Sequence, residues 1–221
     1  MQEIIYQMVL AARFSEQFHK MDESGRKEAI QSVETAISSL RGSLVHTKRY
    51  MSLRYDSDLI IWASSGDPDP LLDLKTEISL GTGGYLHVTN VFLSLYEHSP
   101  YLAKGISLKE TLTLEPLRYV IAYPMSKSPE WYQLSYEERK KIMAEHIGMA
   151  VSHPENKDIR SFTTYSYGLG DHEFLVLYET NSLEAWSHVA GKLREAEARK
   201  WIVSETPLIV GRYLPTFLDI R

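Results

Sequence analysis

Residues 123–146, with the sequence YPMSKSPEWYQLSYEERKKIMAEH, contain the features that organise the second half of the chain. Ser135 is followed three residues later by Glu138, and this capping box predicts a helix that begins just after Ser135. Apolar residues then recur every three or four positions, which gives the helix an apolar stripe. The stripe comprises Ile142, Met143, His146, Ile147 and Ala150, whereas Lys140, Lys141 and Glu145 face away from it.

His146 stands out because it is the polar member of this stripe. An imidazole in such a position is either a hydrogen-bonded core residue or a ligand to something held between the helix and its neighbours. Helical spacing alone favours the core interpretation.

Composition excludes several classes of protein. The chain has 221 residues, enough for one large domain or two small ones. Its net charge of −5 argues against a general nucleic-acid binder. Because it has no cysteine, disulfides, thiolate zinc sites, cysteine-ligated iron–sulfur clusters and thiolate-ligated haem are excluded. No run of 18 apolar residues and no signal peptide is recognisable, so we expect a soluble cytoplasmic protein.

Hydrophobic periodicity predicts the same order of elements twice, β-α-β-β-α-β. Two such units are ferredoxin-like folds, and with facing sheets they would form one α+β body of the dimeric α+β-barrel type. We therefore expect an N-terminal half over residues 1–98, a connector over 99–116 and a C-terminal half over 117–221. The predicted helices cover 29–40, 71–80, 136–151 and 183–199, and the predicted strands 4–13, 45–54, 59–65, 88–97, 119–125, 161–167, 173–178 and 208–212.

Three segments of the second half carry a resemblance to a known family. They are Tyr123-Pro-Met-Ser-Lys127 with Trp131-Tyr132, Glu137-Glu138-Arg139 and His146; Ser166-Tyr-Gly-Leu-Gly-Asp171-His-Glu173-Phe174; and Leu193-Arg194-Glu-Ala-Glu197-Ala198 with Pro207 and Gly211. In order and spacing these segments resemble the chlorite dismutase-like haem proteins, and within that family most closely the coproheme decarboxylases.

The resemblance implies a haem site in the second half, with His146 as the axial iron ligand. A ligating imidazole needs an acceptor for its other nitrogen, and Glu197 is the candidate. On a continuous helix Glu197 would follow Leu193 on the apolar face, although a solvated carboxylate is equally compatible with the spacing. The resemblance also implies that Trp131 lines the haem edge.

Tyr123 and Lys127 are the expected catalytic residues. In coproheme decarboxylases the matching tyrosine carries a radical that removes hydrogen from a porphyrin propionate, and Lys127 would pair with that propionate. Without the resemblance, Tyr123 would be a packing residue in a strand and Lys127 a surface lysine.

The sequence departs from the family at Ser161, which occupies the position of a distal arginine in chlorite dismutases and of a glutamine in many bacterial decarboxylases. Arg160 precedes it, but adjacent residues of a strand point to opposite faces. Unless a bulge brings Arg160 to that face, which the sequence leaves open, we expect Ser161 to face the cofactor and chlorite chemistry to be poor.

These features favour a haem-dependent oxidoreductase that uses peroxide to decarboxylate coproheme to haem b. The alternatives are a weak haem peroxidase or chlorite-decomposing enzyme, a non-catalytic haem-binding or haem-transfer protein, and an empty barrel. The sequence leaves open whether coproheme or haem b is the resident porphyrin. By resemblance the protein assembles as a homo-oligomer, commonly a pentamer.

Overall fold

The computed structural model describes residues 3–99 and 107–220, and their helices and strands follow one another in two similar series. The first series is β1 (Ile5–Phe14), α1 (Glu16–Lys20), α2 (Glu23–Ser39), β2 (His46–Ser52), β3 (Leu59–Ser65), α3 (Asp69–Leu80) and β4 (Leu86–Tyr96). After α4 (Leu108–Leu112), the second is β5 (Tyr119–Lys127), α5 (Pro129–Gln133), α6 (Tyr136–Ser152), β6 (Ile159–Tyr165), β7 (Phe174–Thr180), α7 (Leu183–Lys192), β8 (Ile202–Ser204) and β9 (Ile209–Leu214).

The strands form an antiparallel sheet that closes on itself. In the first series the pairing order is β4-β1-β3-β2, and in the second it is β6-β7-β5-β9. Pairing of β2 with β9 joins the two series, and Leu95 of β4 lies opposite Tyr165 of β6 to close the ring. The short strand β8 adds to the end of β5. The predicted α+β class is confirmed, and the body is a barrel with helices outside it.

Alternation along the strands separates two apolar cores, because successive side chains of a strand point to opposite faces. In β1, Val9 and Ala11 point into the barrel, where they join one core cluster with Trp62. Met8 and Leu10 point outward and pack in a second cluster that includes buried residues of α2 and α3. The barrel therefore has a filled interior as well as an apolar outer face.

The long outer helices of the two series differ in burial. Asp22 caps α2 by accepting from the Gly25 N–H, and α2 buries the side chains of Ala29, Ile30, Val33, Glu34, Ala36 and Ile37. Ser135 and Glu138 cap α6 through the predicted box, yet α6 has no fully buried side chain. The residues of its predicted stripe are only half-buried, so part of the apolar face of α6 remains exposed.

Glu179 is the centre of a charge network inside the barrel. Its carboxylate, 0% exposed, accepts from Lys48 Nζ at 2.8 Å, and Arg160 Nη1 lies 3.3 Å from it. The hydroxyl of Tyr50 donates to the same carboxylate at 3.3 Å. Burial lowers the pKa of Lys48 despite the opposing effect of Glu179. Two cations on different strands are thus held by one carboxylate, which ties β2 and β6 to β7.

Two sequence expectations need correction or restriction. The helix predicted over residues 183–199 is wrong beyond Lys192, because extended backbone at Ala196 separates the 3₁₀ segments Leu193–Glu195 and Glu197–Trp201. Of the predicted connector, residues 100–106 lie outside the described residues, and the remainder contains α4. No helix in the described ranges is long and apolar enough to cross a membrane.

Removing the charge of Glu179 should destabilise the barrel strongly. In Glu179→Gln, Lys48 and Arg160 keep their charges in a buried site without a counter-charge, which should lower the free energy of unfolding by ~3–5 kcal/mol. Urea unfolding followed by tryptophan fluorescence measures this change.

The matched control is Glu195→Gln, because the Glu195–Lys192 ion pair is largely exposed and should contribute at most ~1 kcal/mol. Equal unfolding midpoints for Glu179→Gln and the wild type would contradict the importance of the network.

Candidate functional site

The predicted site residues of β5 and β6 lie on the outer face of the barrel. Ser161 is opposite Tyr178 in the β6–β7 register, and Tyr123 is opposite Val176 in the β5–β7 register. Directly opposed residues share one face of a sheet, so these side chains lie on the face that carries Tyr178. Tyr178 contacts Trp186 of α7, with ring centroids 4.1 Å apart, which identifies this face as the one beneath the helices.

Lys127 is the most constrained of these residues. It is only 8% exposed, and its Nζ lies 3.2 Å from the centroid of the Trp131 ring. The same atom contacts the sulfur of Met143 on α6 at 3.8 Å. Burial lowers the pKa of Lys127 to about 7, and Glu173 opposes this effect. Lys127 is therefore a buried amine that is only partly charged at neutral pH and lies against an aromatic face, and the surface-lysine alternative is wrong.

Glu173 fixes the backbone beneath this cation, a role that the sequence did not assign. Its carboxylate accepts from the Lys127 N–H at 2.8 Å, and its own N–H donates to the Met125 carbonyl at 3.2 Å. The β6–β7 turn that leads to Glu173 contains Gly168 at φ +71°, a conformation that glycine adopts readily. The motif around Gly168 was visible in the sequence, but its contact with β5 depends on strand pairing.

His146 lies on the half-buried stripe of α6, and its Nδ1 is buried with no hydrogen-bond partner in the described ranges. Burial lowers the pKa of this imidazole, and the charge of Lys127 lowers it further. At neutral pH the ring is therefore uncharged, which is the form that ligates metals. A buried ring nitrogen without a partner costs free energy, so this side chain suits a ligand role better than a packed core role.

Tyr123 begins an aromatic series that extends toward α7. Its ring centroid is 6.2 Å from that of Tyr178, with planes 24° apart. Burial raises the pKa of the Tyr123 phenol, and hydrogen bonding with Tyr178 acts in the opposite direction. Beyond its place in a predicted strand, no sequence pattern indicates a role for Tyr178. The phenol thus stays protonated at neutral pH beside a second phenol that can exchange a hydrogen bond with it.

Glu197 makes no hydrogen bond to the buried Nδ1 of His146. Its carboxylate accepts from Lys200 Nζ at 2.7 Å, and its backbone N–H donates to Glu145 at 3.1 Å. The spacing argument for Glu197 fails because the residue lies in a 3₁₀ segment after the end of α7. The hydrogen bond to Glu145 nevertheless places Glu197 beside α6, because Glu145 directly precedes His146 in that helix. A role as the acceptor for His146 remains a prediction and requires the carboxylate to leave Lys200.

Arg160 and Ser161 point to opposite sides of the barrel wall, as the strand geometry predicted. Arg160 donates to the Glu115 carbonyl at 2.6 Å and pairs with Glu179 in the barrel interior. Ser161 is exposed on the outer face with Tyr178. The outer face therefore has a hydroxyl, not a guanidinium, at this point of β6.

The donor set suits an iron porphyrin better than a bare ion. In the described part of the chain, no group of three histidine or acidic side chains could hold a metal ion. A porphyrin supplies ring nitrogens to its iron and needs few ligands from the protein, and His146 offers one imidazole nitrogen. Trp131 and the α6 stripe supply apolar surface, and Lys127 supplies a cation for a carboxylate.

The sheet forms a closed antiparallel barrel, and the face beneath α6 carries His146 with a ring nitrogen that has no partner among the described residues. These features define an α+β barrel protein with a candidate porphyrin site. The sequence model of the chlorite dismutase family matches residues 26–214, and the chain belongs to that family.

Individual relatives agree with this assignment. The coproheme decarboxylase of Mycolicibacterium smegmatis is 31% identical over 160 residues, which cover 72% of this chain and 68% of that protein. The coproheme decarboxylase of Staphylococcus carnosus is 28% identical over 175 residues, covering 72% and 69%. A solved structure of a putative chlorite dismutase is 42% identical with a TM-score of 0.88, covering 97% of this chain and 96% of that one.

The environment of Lys127 predicts an unusual titration in the ligand-free protein. NMR of carbon-13-labelled lysine should show one resonance that titrates at about pH 7, because burial disfavours the charged form. Absence of this resonance in Lys127→Met assigns it.

Stability should follow the same titration. The unfolded chain, with a lysine pKa of ~10.4, binds more protons than the folded chain between the two pKa values. Burial of the Lys127 ammonium therefore destabilises the folded chain fully below about pH 7, and this cost disappears as the pH rises through the window between the two pKa values. Titration of Lys127 near pH 10 would contradict the buried environment.

Proposed function

We propose that the protein is a haem-dependent oxidoreductase that uses peroxide to convert propionates of coproheme into vinyl groups, giving haem b. The observation that carries the proposal is the buried side chain of Lys127. Lys127 lies on the same strand as Tyr123, and its Nζ contacts Trp131 of α5 and Met143 of α6. Similarity to two coproheme decarboxylases supports the choice of reaction.

His146 would hold the iron, and the apolar stripe of α6 with Trp131 would cover the porphyrin. When bound, the iron supplies the site that receives the oxidising equivalents of peroxide. The unpartnered imidazole nitrogen of His146 supports this role. Glu197 is the proposed acceptor that orients the imidazole once it ligates.

Lys127 would position the propionate, and Tyr123 would remove a hydrogen atom from it. Lys127 pairs with the carboxylate and so sets the distance between the propionate carbon and the phenol. Tyr123 gives up an electron and a proton, and its phenoxyl oxygen then takes a hydrogen atom from the propionate carbon next to the ring. Loss of the carboxylate as carbon dioxide and of one further electron leaves the vinyl group. Overall, one propionate, one peroxide and one proton give one vinyl, one carbon dioxide and two waters.

Chlorite decomposition is disfavoured by Ser161, which offers a neutral hydroxyl where a cation would hold the anion near iron. Arg160 is engaged by Glu179 and Glu115 on the other side of the strand. Chlorite-dependent oxygen evolution should therefore be poor.

The equivalent strand orders of the two series support an origin from two ferredoxin-like units, residues 1–98 and 117–221, joined by the connector 99–116. Assembly into a homo-oligomeric ring, commonly a pentamer, is proposed by resemblance alone.

Tyr123→Phe tests the reaction. This variant keeps the ring and loses the phenolic hydrogen, so it should bind coproheme with an unchanged absorption spectrum and form less than about a hundredth of the wild-type product, as expected for loss of a group that transfers hydrogen. Chromatography of porphyrins after stepwise addition of peroxide to the coproheme complex measures the conversion.

The control is Tyr55→Phe, which changes a phenol that is 84% exposed in the turn between β2 and β3 and should retain turnover. If the wild type binds coproheme and forms no vinyl product, the decarboxylase proposal fails. If Tyr123→Phe forms product as fast as the wild type, the reactive phenol lies elsewhere.

A further inference from the structure

Arg139 lies on the same face of α6 as Met143 and His146. The spacings of four and seven residues place the three side chains in one row. At a rise of 1.5 Å per residue, the backbone of Arg139 is about 10 Å from that of His146 along the helix. A side chain in this position can reach the periphery of a flat ligand whose centre is at His146.

The guanidinium of Arg139 is partly buried without a counter-charge. The residue is half-buried, and its Nε is buried with no hydrogen-bond partner among residues 3–99 and 107–220. No ion pair of Arg139 is found in the same ranges. A buried guanidinium N–H without an acceptor is costly, because charged groups are normally paired when they leave water.

The neighbouring charges make this cost larger. Arg139 and Lys127 are close enough for the charge of Arg139 to disfavour the ammonium of Lys127. Three acidic side chains of α6 and the β6–β7 turn have other hydrogen-bond partners. Glu138 caps the helix at Ser135, Glu145 accepts from the Glu197 N–H, and Glu173 accepts from the Lys127 N–H. Two cations on α6 and β5 thus face one region and lack a shared anion.

We propose that Arg139 and Lys127 form a two-cation clamp for a carboxylate of the porphyrin that binds beside His146. The inference rests on the proposed function and extends it to substrate choice. Arg139 donates paired N–H groups to a carboxylate, and Lys127 supplies a second charge to the same edge of the ligand. The clamp favours coproheme over haem b where it faces a propionate that is replaced by a vinyl group in haem b.

Titration of the ligand-free protein with metal-free coproporphyrin tests the clamp separately from iron ligation. Binding is followed by porphyrin fluorescence. Arg139→Met should bind about tenfold more weakly than the wild type, which corresponds to ~1.4 kcal/mol. Lys140→Met is the matched control, because Lys140 is the next residue of α6, is exposed and should leave affinity unchanged.

Thermal unfolding of the ligand-free variants separates a binding role from a structural one. Arg139→Met removes a cation that repels Lys127, so its Tm should equal or exceed that of the wild type. Arg139→Gln should behave in the same way, since it also removes the charge. A lowered Tm or failure to fold in both variants would show that the guanidinium is structural and would overturn the clamp.

The remaining outcomes are equally decisive. If the wild type takes up neither coproporphyrin nor coproheme, the proposed function fails and the clamp fails with it. If the wild type and Arg139→Met bind coproporphyrin equally, the clamp alone is overturned, and His146 and Tyr123 keep their proposed roles.

Discussion

Burial of the Lys127 ammonium against Trp131 is the interaction on which the proposed site depends. It joins the end of β5 to α5 through the indole ring and to α6 through the sulfur of Met143. The cation is costly in this position, since burial lowers its pKa to about 7. Pairing of β5 with β7 and the hydrogen bond from the Lys127 N–H to Glu173 hold the backbone at this position. The same cost makes the site receptive to an anionic ligand.

In the part of the chain that the structure describes, charged side chains are paired inside the barrel, whereas two cationic side chains outside it are not. Inside, one carboxylate, Glu179, satisfies two cations, and the network is closed. Outside, Lys127 and Arg139 form no ion pair with any carboxylate of the described residues, and the stripe of α6 is only half-buried. The equivalent helix of the first series, α2, has one fully buried face. One outer face thus contributes to stability, while the other offers apolar surface, an imidazole and unpaired cations to a ligand.

Much of the architecture could be predicted from local signals. The capping box at Ser135 and the stripe through His146 specify α6, and apolar runs specify β3 and β5. The end of α7 was missed because Leu193 to Ala198 has a helical composition, and tertiary contacts such as that of Glu145 with Glu197 determine its conformation. The opposite orientations of Arg160 and Ser161 followed from strand geometry alone.

The features that distinguish the site were less accessible from sequence. The burial of Lys127, the contact of Glu173 with β5 and the pairing of Tyr123 with Tyr178 depend on which strands become neighbours. Arg139 was detectable by its spacing from His146, but its lack of a counter-charge was not. The pairing of strands that are distant in sequence therefore determines the chemistry available to a motif, even where the motif itself can be recognised in the sequence.

The central claim is that His146 ligates the iron of a porphyrin held on this outer face. Resonance Raman spectroscopy of the reduced coproheme complex tests it directly. The account predicts an iron–imidazole stretching band in the wild type that disappears in His146→Ala and persists in His188→Ala, an exposed histidine that pairs with Glu155. An identical band in the wild type and His146→Ala would contradict the claim.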